Sequence, residues 1–257
     1  MPSHNRKSPR SPGWDAVADW YDGWMGDHGS EHHQRLAIPT AIEMLSLEGH
    51  EHVLDIGAGQ GVFAQYVAQT GARYTGVDIS PHLIEIARSR HAQHGRFIRA
   101  DARRLESSRD LKAASFDACI FLLSLQDMSP LDAVIRSAAW ALKPKARLVI
   151  VMTHPCFRVP RQSGWGYDSE RQLRYRRIDS YLQMLSVPMK AYGRHRTGTT
   201  ISFHRPLEAY INALANEGLY VDAMREISSF KAGDKVERRA EAQIPLFLAL
   251  RARRVEL

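Results

Sequence analysis

Three glycines at alternate positions, Gly57, Gly59 and Gly61, follow directly on the run Val53-Leu54-Asp55-Ile56. Glycine allows the sharp reversal that a strand-to-helix junction needs and lets a ligand approach the backbone. The start of the next helix offers free N–H groups and a positive dipole end. A dinucleotide fingerprint would put its last glycine at position 62, where the chain has Val62. Asp78 stands 21 residues after Gly57, at the end of a second strand-like run, where a carboxylate can accept hydrogen bonds from both hydroxyls of a ribose. Asp101 ends a third run and offers an acceptor to an adenine amino group. Acids at successive strand ends, Asp55, Asp78 and Asp101, suit a cationic nucleoside better than a pyrophosphate.

Positioning these residues takes an alternation of strands and helices. Strands are expected at 53–56, 73–77, 97–98, 116–123 and 148–152, the fourth buried on both faces. Helices are expected at 62–69, from Pro81 with Ser80 as cap, and at 131–142 with Pro144 just beyond. In the second of these, Leu83, Ile84, Ile86 and Ala87 make the apolar face. A helix opened by Pro206-Leu207-Glu208 and running to Asn216, stopped by Gly218, precedes two last strands at 219–227 and 244–250, an antiparallel pair at one side of the sheet. The order predicts an α/β fold, a doubly wound, Rossmann-like, mostly parallel seven-stranded sheet in one domain over residues 14–257. Residues 153–205 break the pattern, with only a helical hint at 178–185. Such a length exceeds an ordinary connection and reads as a lid inserted between the fifth strand and the next helix.

Of the 257 residues 44% are apolar and 25% charged, as in soluble globular proteins. Two cysteines exclude a disulfide framework and favour a cytoplasmic address. No apolar run nears the roughly 18 residues of a spanning helix, so no membrane association is expected. Residues 1–13 carry Arg6, Lys7 and Arg10 with no apolar stretch behind them, and read as a disordered basic tail rather than a signal peptide. The net charge of +7 is unevenly placed: nine Arg and one Lys against three acids give the insertion +7, the tail adds +3, and the rest sums to −3. A uniformly basic nucleic-acid binder would not divide this way.

The stretch from about residue 50 to 152 resembles the class I S-adenosylmethionine-dependent methyltransferases, in their methyltransferase-11-like branch. The motifs are Asp55-Ile56-Gly57-Ala58-Gly59-Gln60-Gly61, Gly76-Val77-Asp78-Ile79-Ser80, Ala100-Asp101-Ala102 and Leu142-Lys143-Pro144. Trp20-Tyr21-Asp22 resembles the family's N-terminal helix, and Lys145 stands where many members have glycine. The resemblance implies S-adenosyl-L-methionine as cofactor, with the glycine turn (Gly57, Ala58, Gly59, Gln60, Gly61) at the methionyl part and Asp78 at the ribose. Asp101 and Ala102 would flank the adenine, Leu122 and Gln126 would close over the cofactor, and Tyr21, Asp55 and Ile79 complete the set.

Methyl transfer from a sulfonium asks mainly for alignment and exclusion of water, and for a base only if the acceptor is protonated. His154, at the carboxyl edge after the fifth strand, is the candidate base or acceptor-positioning residue; its plainer reading is a hydrogen bond to the start of the insertion. His204 orients the far junction. Cys156 reads as packed and inert, because Leu123-Ser124-Leu125-Gln126-Asp127 lacks the Pro-Cys of C5-pyrimidine methyltransferases. It also lacks the Asn-Pro-Pro-Tyr of many amine methyltransferases. His28 and His32 have metal-ligand spacing without a third ligand, so no metal is expected. Trp20, Tyr21 and Trp24 cover the cofactor or pack in the core.

In the insertion, Arg158, Arg161, Arg174, Arg176 and Arg177 offer paired donors for a carboxylate or phosphate, with Trp165 and Tyr167 as apolar walls. That predicts a small, anionic metabolite as substrate of a monomer or homodimer; the plainer reading is a solvated face or subunit contact. The alternative is an RNA methyltransferase that stacks bases on Trp165, Tyr167, Tyr175, Tyr181 and Tyr192. A third reading is a cofactor-binding scaffold whose insertion docks a partner.

Overall fold

Alternate residues of the central strands are apolar toward opposite sides, which obliges the sheet to be covered on both faces. Leu54, Ile56, Phe121, Leu148 and Ile150 pack into one layer, and Val53, Ala118, Ile120, Val149 and Val151 into the other. The computed structural model describes residues 13–190, 198–230 and 236–255. The basic tail up to residue 12 and Tyr192 lie outside the described residues.

The N-terminal segment forms α1 (Ala18–Met25), a π-helical turn at His33–Ala37 and α2 (Ile38–Leu45). The alternating part follows as β1 (His52–Ile56), α3 (Ala64–Gln69), β2 (Arg73–Asp78), α4 (Pro81–His91), β3 (Arg96–Arg99), β4 (Phe116–Leu122), α5 (Leu131–Ala141) and β5 (Leu142–Thr153). The insertion gives two antiparallel hairpins, β6 (Ser163–Asp168) with β7 (Leu173–Ile178), and β8 (Leu185–Lys190) with β9 (Thr199–His204). The chain ends with α6 (Leu207–Asn216), β10 (Leu219–Ile227), α7 (Val236–Gln243) and β11 (Phe247–Arg254). The seven-stranded sheet has the order β10-β11-β5-β4-β1-β2-β3, and β11 alone runs against the common direction. From β1 the chain winds outward through β2 and β3, then returns to β4 on the other side. That reversal opens a crevice at the carboxyl ends of β1 and β4.

Local chemistry sets the boundaries. Ser80 caps α4, its Oγ accepting from the Leu83 amide at 3.2 Å. Gly218, at φ 68°, ends α6 in the left-handed region. Where the sequence suggests a helix at 178–185, the chain bends between two strands, because Leu182 (74% exposed) and Met184 (65%) face no core and Leu185–Lys190 pairs with Thr199–His204. Where it suggests a helix end, Pro144 and a strand from 148, β5 already begins at Leu142. Residues 143–146 step out of register with β4, so that Phe116 pairs with Leu142 and Ala118 with Arg147. The last strand runs Phe247–Arg254 rather than 244–250, and α2 and α7 are additional helices.

Arg147 fastens β5 to the helical layer. Its guanidinium donates to the C-terminal carbonyls of α2, at Leu45 and at Ser46 (3.2 Å), and to Glu51 Oε1 at 2.8 Å. Both side chains are almost excluded from solvent, at 10% and 12% exposure. Glu51→Ala, which strips this guanidinium of its counter-charge, is expected to cost about 3 kcal/mol in urea denaturation. The Arg147 hydrogen bonds hold the Glu51 carboxyl below its usual range. Its contribution is therefore present above pH about 4.3 and fades as pH falls through the lower folded value.

Candidate functional site

The crevice between β1 and β4 opens into a cavity of about 870 Å³, lined from the carboxyl ends of β1 to β5, the N-terminal segment and the second hairpin. Its floor is the glycine turn. The amides of Gly57 and Ala58 both donate to Val77 O (2.8 and 3.0 Å), Gly61 N donates to Ala58 O, and Gly59 N donates to Asp78 Oδ2 at 2.9 Å. These amides are committed within the protein, and α3 begins only at Ala64. The turn is a close-approach surface rather than the phosphate cradle that free helix-terminal amides would make. Gly57, at φ 80°, has no room for a side chain: a Cβ would stand 2.6 Å from Met128 and 2.7 Å from Ser124. At Gly59, φ 56°, the nearest group is the Tyr21 ring.

Asp78 joins this turn to the end of β2, since its Oδ1 also accepts from Ser80 N at 2.9 Å. Burial pushes its carboxyl up against those backbone hydrogen bonds. Each carboxylate oxygen still has acceptor capacity toward the cavity. Ile79, exposed by 51%, and Ala102 lie beside it on the cavity wall. Asp101 also lines the wall, but Arg103 clasps it through Nε (2.9 Å) and a terminal nitrogen (2.6 Å) and holds its carboxyl low. Gln126, on the cavity wall, donates to Leu123 O and keeps a buried Oε1 with no protein partner. Leu122 closes the same side. Tyr21 covers the turn, and burial beside Asp78, Asp127 and Asp55 keeps its hydroxyl protonated.

Of the residues expected to hold the cofactor, Asp55, Ala58, Gln60 and Gly61 lie behind the wall. Asp55 accepts from Tyr74 Oη at 2.7 Å, and burial pushes its carboxyl up to about 7. Gln60 ties the turn to Gly26 O at 2.7 Å, and a Cβ on Gly61 would strike the Phe97 ring at 2.6 Å. Ala58 packs on Gly76. These four support the turn from beneath.

His154 is not brought to the cavity. Its Nε2 pairs with Glu226 on β10 at 2.9 Å, its Nδ1 accepts from Cys156 N at 3.2 Å, and the residue is buried. It works as a strap between β5 and β10. Arg158, Arg161, Trp165 and Tyr167 also stand outside the lining. Arg158, Arg174 and Arg176 lie over the Trp165 ring at 5.7, 4.9 and 5.5 Å. Arg158 bonds Pro245 O, Arg161 bonds Pro188 O, and Tyr167 bonds Gln172. The arginine-rich hairpin is thus organised around its own tryptophan. The wall facing the crevice comes from β9 instead, through Thr200, Ile201 and Phe203.

His28 bonds Gln65 while His32 packs against Phe230 and Phe247, so the pair does not converge. His204 Nε2 bonds Tyr181 O at 2.7 Å, holding the junction after β9. Cys156 lies 3.5 Å from Tyr181 Oη. Among the described residues no three His, Cys, Asp or Glu groups are placed to hold a metal.

Several lining residues carry no sequence motif: Trp14, His33, Asp127, Phe203 and Phe247. His33 is buried against Trp24, bonded by Ser30 at 2.8 Å, and pushed down to about 4 by burial, so it is neutral near pH 7. The alternation Thr200-Ile201-Ser202-Phe203 was the available signal for the β9 wall.

Residues 54–150 match the methyltransferase domain family. A demethylmenaquinone methyltransferase of Tropheryma whipplei (strain Twist) is 39% identical over 117 residues, 45% of this chain and 48% of that protein. A ubiquinone biosynthesis O-methyltransferase of Xylella fastidiosa (strain 9a5c) is 31% identical over 151 residues, 56% of this chain and 60% of that one. The chain thus matches about half to three-fifths of the length of these curated relatives. The crystal structure of an S-adenosylmethionine-dependent methyltransferase from Mesorhizobium loti superposes with a TM-score of 0.67 at 27% identity, over 89% of this chain and 100% of that one. Sheet order, glycine turn and these likenesses define a Rossmann-like methyltransferase domain. Residues 54–150 are thus a methyltransferase domain by sequence, and the chain as a whole is similar to class I S-adenosylmethionine-dependent methyltransferases.

Two variants separate wall from scaffold. Gly57→Ala forces a left-handed backbone on a side chain, at about 1–2 kcal/mol, and pushes on Met128 and Ser124. It is expected to lower S-adenosylhomocysteine affinity at least tenfold by calorimetry. His154→Gln is expected to lower the melting temperature and leave that affinity unchanged.

Proposed function

We propose that the protein transfers a methyl group from S-adenosylmethionine to a small, largely apolar acceptor. The observation that carries this reading is the cavity itself: carboxylates and Tyr21 at one end, an apolar and aromatic wall at the other, both at the switch point of the sheet. Its volume of about 870 Å³ lies in the range of small-molecule sites. The residues present fit the cofactor. Asp78 has acceptor capacity for ribose hydroxyls, and Ile79 and Ala102 give apolar faces for the base. Gln126 Oε1 is an unpartnered acceptor, and the negative potential of Asp78 at the turn suits a cation. The cofactor would supply an electrophilic methyl on sulfur. The protein's part is to orient the acceptor and keep water out.

The acceptor wall is built by Thr200, Ile201, Phe203, Leu246, Phe247 and His32. This composition supports an apolar, planar acceptor over an anionic one, since Arg158, Arg161, Arg174 and Arg176 are engaged away from the cavity. It also weakens the RNA reading, because Trp165 is already covered by guanidinium groups. The two curated relatives bear names of quinone-pathway methyltransferases, which agrees with an apolar acceptor. The insertion acts as a lid through its second hairpin, within one domain.

Calorimetry with S-adenosylhomocysteine tests the cofactor half. Micromolar binding that weakens at least tenfold in Asp78→Ala is expected, and tight binding untouched by that change contradicts it. Phe203→Ala tests the acceptor half: with labelled cofactor, the KM for any acceptor found should rise at least tenfold while S-adenosylhomocysteine affinity stays the same.

A further inference from the structure

One ionisable group at the acceptor end has no role in cofactor binding. Asp127 ends the short turn Leu125–Asp127 after β4 and lines the cavity. On the cofactor side it acts electrostatically on Tyr21, as do Asp78 and Asp55. On the acceptor side it faces β9, where the Ser202 hydroxyl works against the effect of burial on its carboxyl. It therefore stands where the donor half and the acceptor half of the cavity meet. Its cationic neighbour is Arg205, just past β9, which also donates to Met128 O at 2.6 Å, acts electrostatically on Tyr210 of α6 and lies 5.2 Å from the Phe203 ring. Tyr21 and Tyr210, the other titratable groups facing it, are both held protonated by burial.

Burial outweighs the Ser202 hydroxyl and the Arg205 charge, and pushes the Asp127 carboxyl up to about 7. A free aspartate titrates near 3.9, and a catalytic base works best with a value close to the working pH. The site thus offers a carboxylate with unusual proton affinity beside apolar, aromatic walls. Amines attack through a lone pair and carboxylates attack as anions, so neither needs a proton removed as the new bond forms. Phenols and enols, which hold their proton at neutral pH, do need it.

We propose that Asp127 is the general base and that the acceptor carries a phenol or enol hydroxyl on a planar, apolar framework. This inference rests on the methyltransferase reading above. The acceptor O–H bond breaks as its oxygen bonds to the methyl carbon. The proton passes to an Asp127 oxygen, the electrons of the cleaved C–S bond stay on sulfur, and the carboxylic acid returns its proton to solvent after product release.

The test uses the full chain and Asp127→Asn, which preserves shape. In carboxyl-labelled protein, the Asp127 carbon resonance, assigned by its loss in the variant, should titrate with a midpoint of about 7. With labelled S-adenosylmethionine and 1-naphthol as probe acceptor, wild-type transfer should rise with pH through that midpoint. Asp127→Asn should lose at least 100-fold in rate and the pH limb with it, while S-adenosylhomocysteine affinity stays within about threefold by calorimetry. A midpoint near 4, a variant that keeps the wild-type rate and profile, or methylation of 1-naphthylamine but of no hydroxylated probe would overturn the proposal. Failure of the wild type to bind S-adenosylhomocysteine would instead overturn the methyltransferase reading.

Discussion

A single carboxylate holds the site together. Asp78 accepts from Gly59 on the turn after β1 and from Ser80 at the cap of α4, so the two loops that flank the crevice share one anchor. Neither contact requires a helix dipole or a cation; both use backbone amides that would otherwise be free to bind an anion. The consequence is chemical as well as mechanical. With Gly57, Ala58, Gly59 and Gly61 committed internally, the turn presents close backbone and negative potential in place of a nest of N–H donors. A pyrophosphate finds little there, and a sulfonium nucleoside finds a compatible field.

Around this anchor the cavity divides between distant parts of the chain. The N-terminal segment covers the turn with Tyr21, whose ring Trp14 meets edge-on at 5.1 Å, and adds Trp24 and His33. Ser80 Oγ bonds Asp15 at 2.9 Å, which ties that cover to the loop that Asp78 organises. The opposite wall belongs to β9, brought there by its packing on the turn after β4. The arginines of the first hairpin are thereby separated from the cavity. Three guanidinium groups gather on Trp165, and burial together with the Arg176 charge lowers Arg158 to about 10. Charge by itself located the insertion but not the face that meets a ligand.

The sheet was legible in the sequence because its signals are local. Apolar runs ending in Asp55, Asp78 and Asp101, the Ser80-Pro81 cap and Gly218 each act within a few residues. Gly57, Gly59, Asp78 and Asp101, which the fold brings to the crevice, were legible for the same reason. The hairpins of the insertion, the π-helical turn at His33 and the early start of β5 were not, since they depend on partners far along the chain. His154 shows the limit most plainly: its position at the strand end suggested chemistry, but Glu226, 72 residues away, decides where its ring points. Asp127 shows the converse. It sits one residue beyond the expected Gln126, in an unremarkable run, and becomes distinctive only when Ser202, Arg205 and the apolar wall surround it. Residues whose chemistry is conferred by environment leave little trace in local pattern.

The central claim, that the crevice between β1 and β4 holds the methyl donor with Asp78 at its ribose, is most directly tested by isotope-filtered nuclear Overhauser measurements on labelled protein with S-adenosylhomocysteine. Contacts from the ribose protons to Gly59 and Ile79, from the adenine to Ala102, and from the methylene beside sulfur to Leu122 or Tyr21 are the predicted result. Contacts confined to the arginine-rich hairpin, or a bound ligand that leaves Gly59 and Ile79 unperturbed, would contradict it.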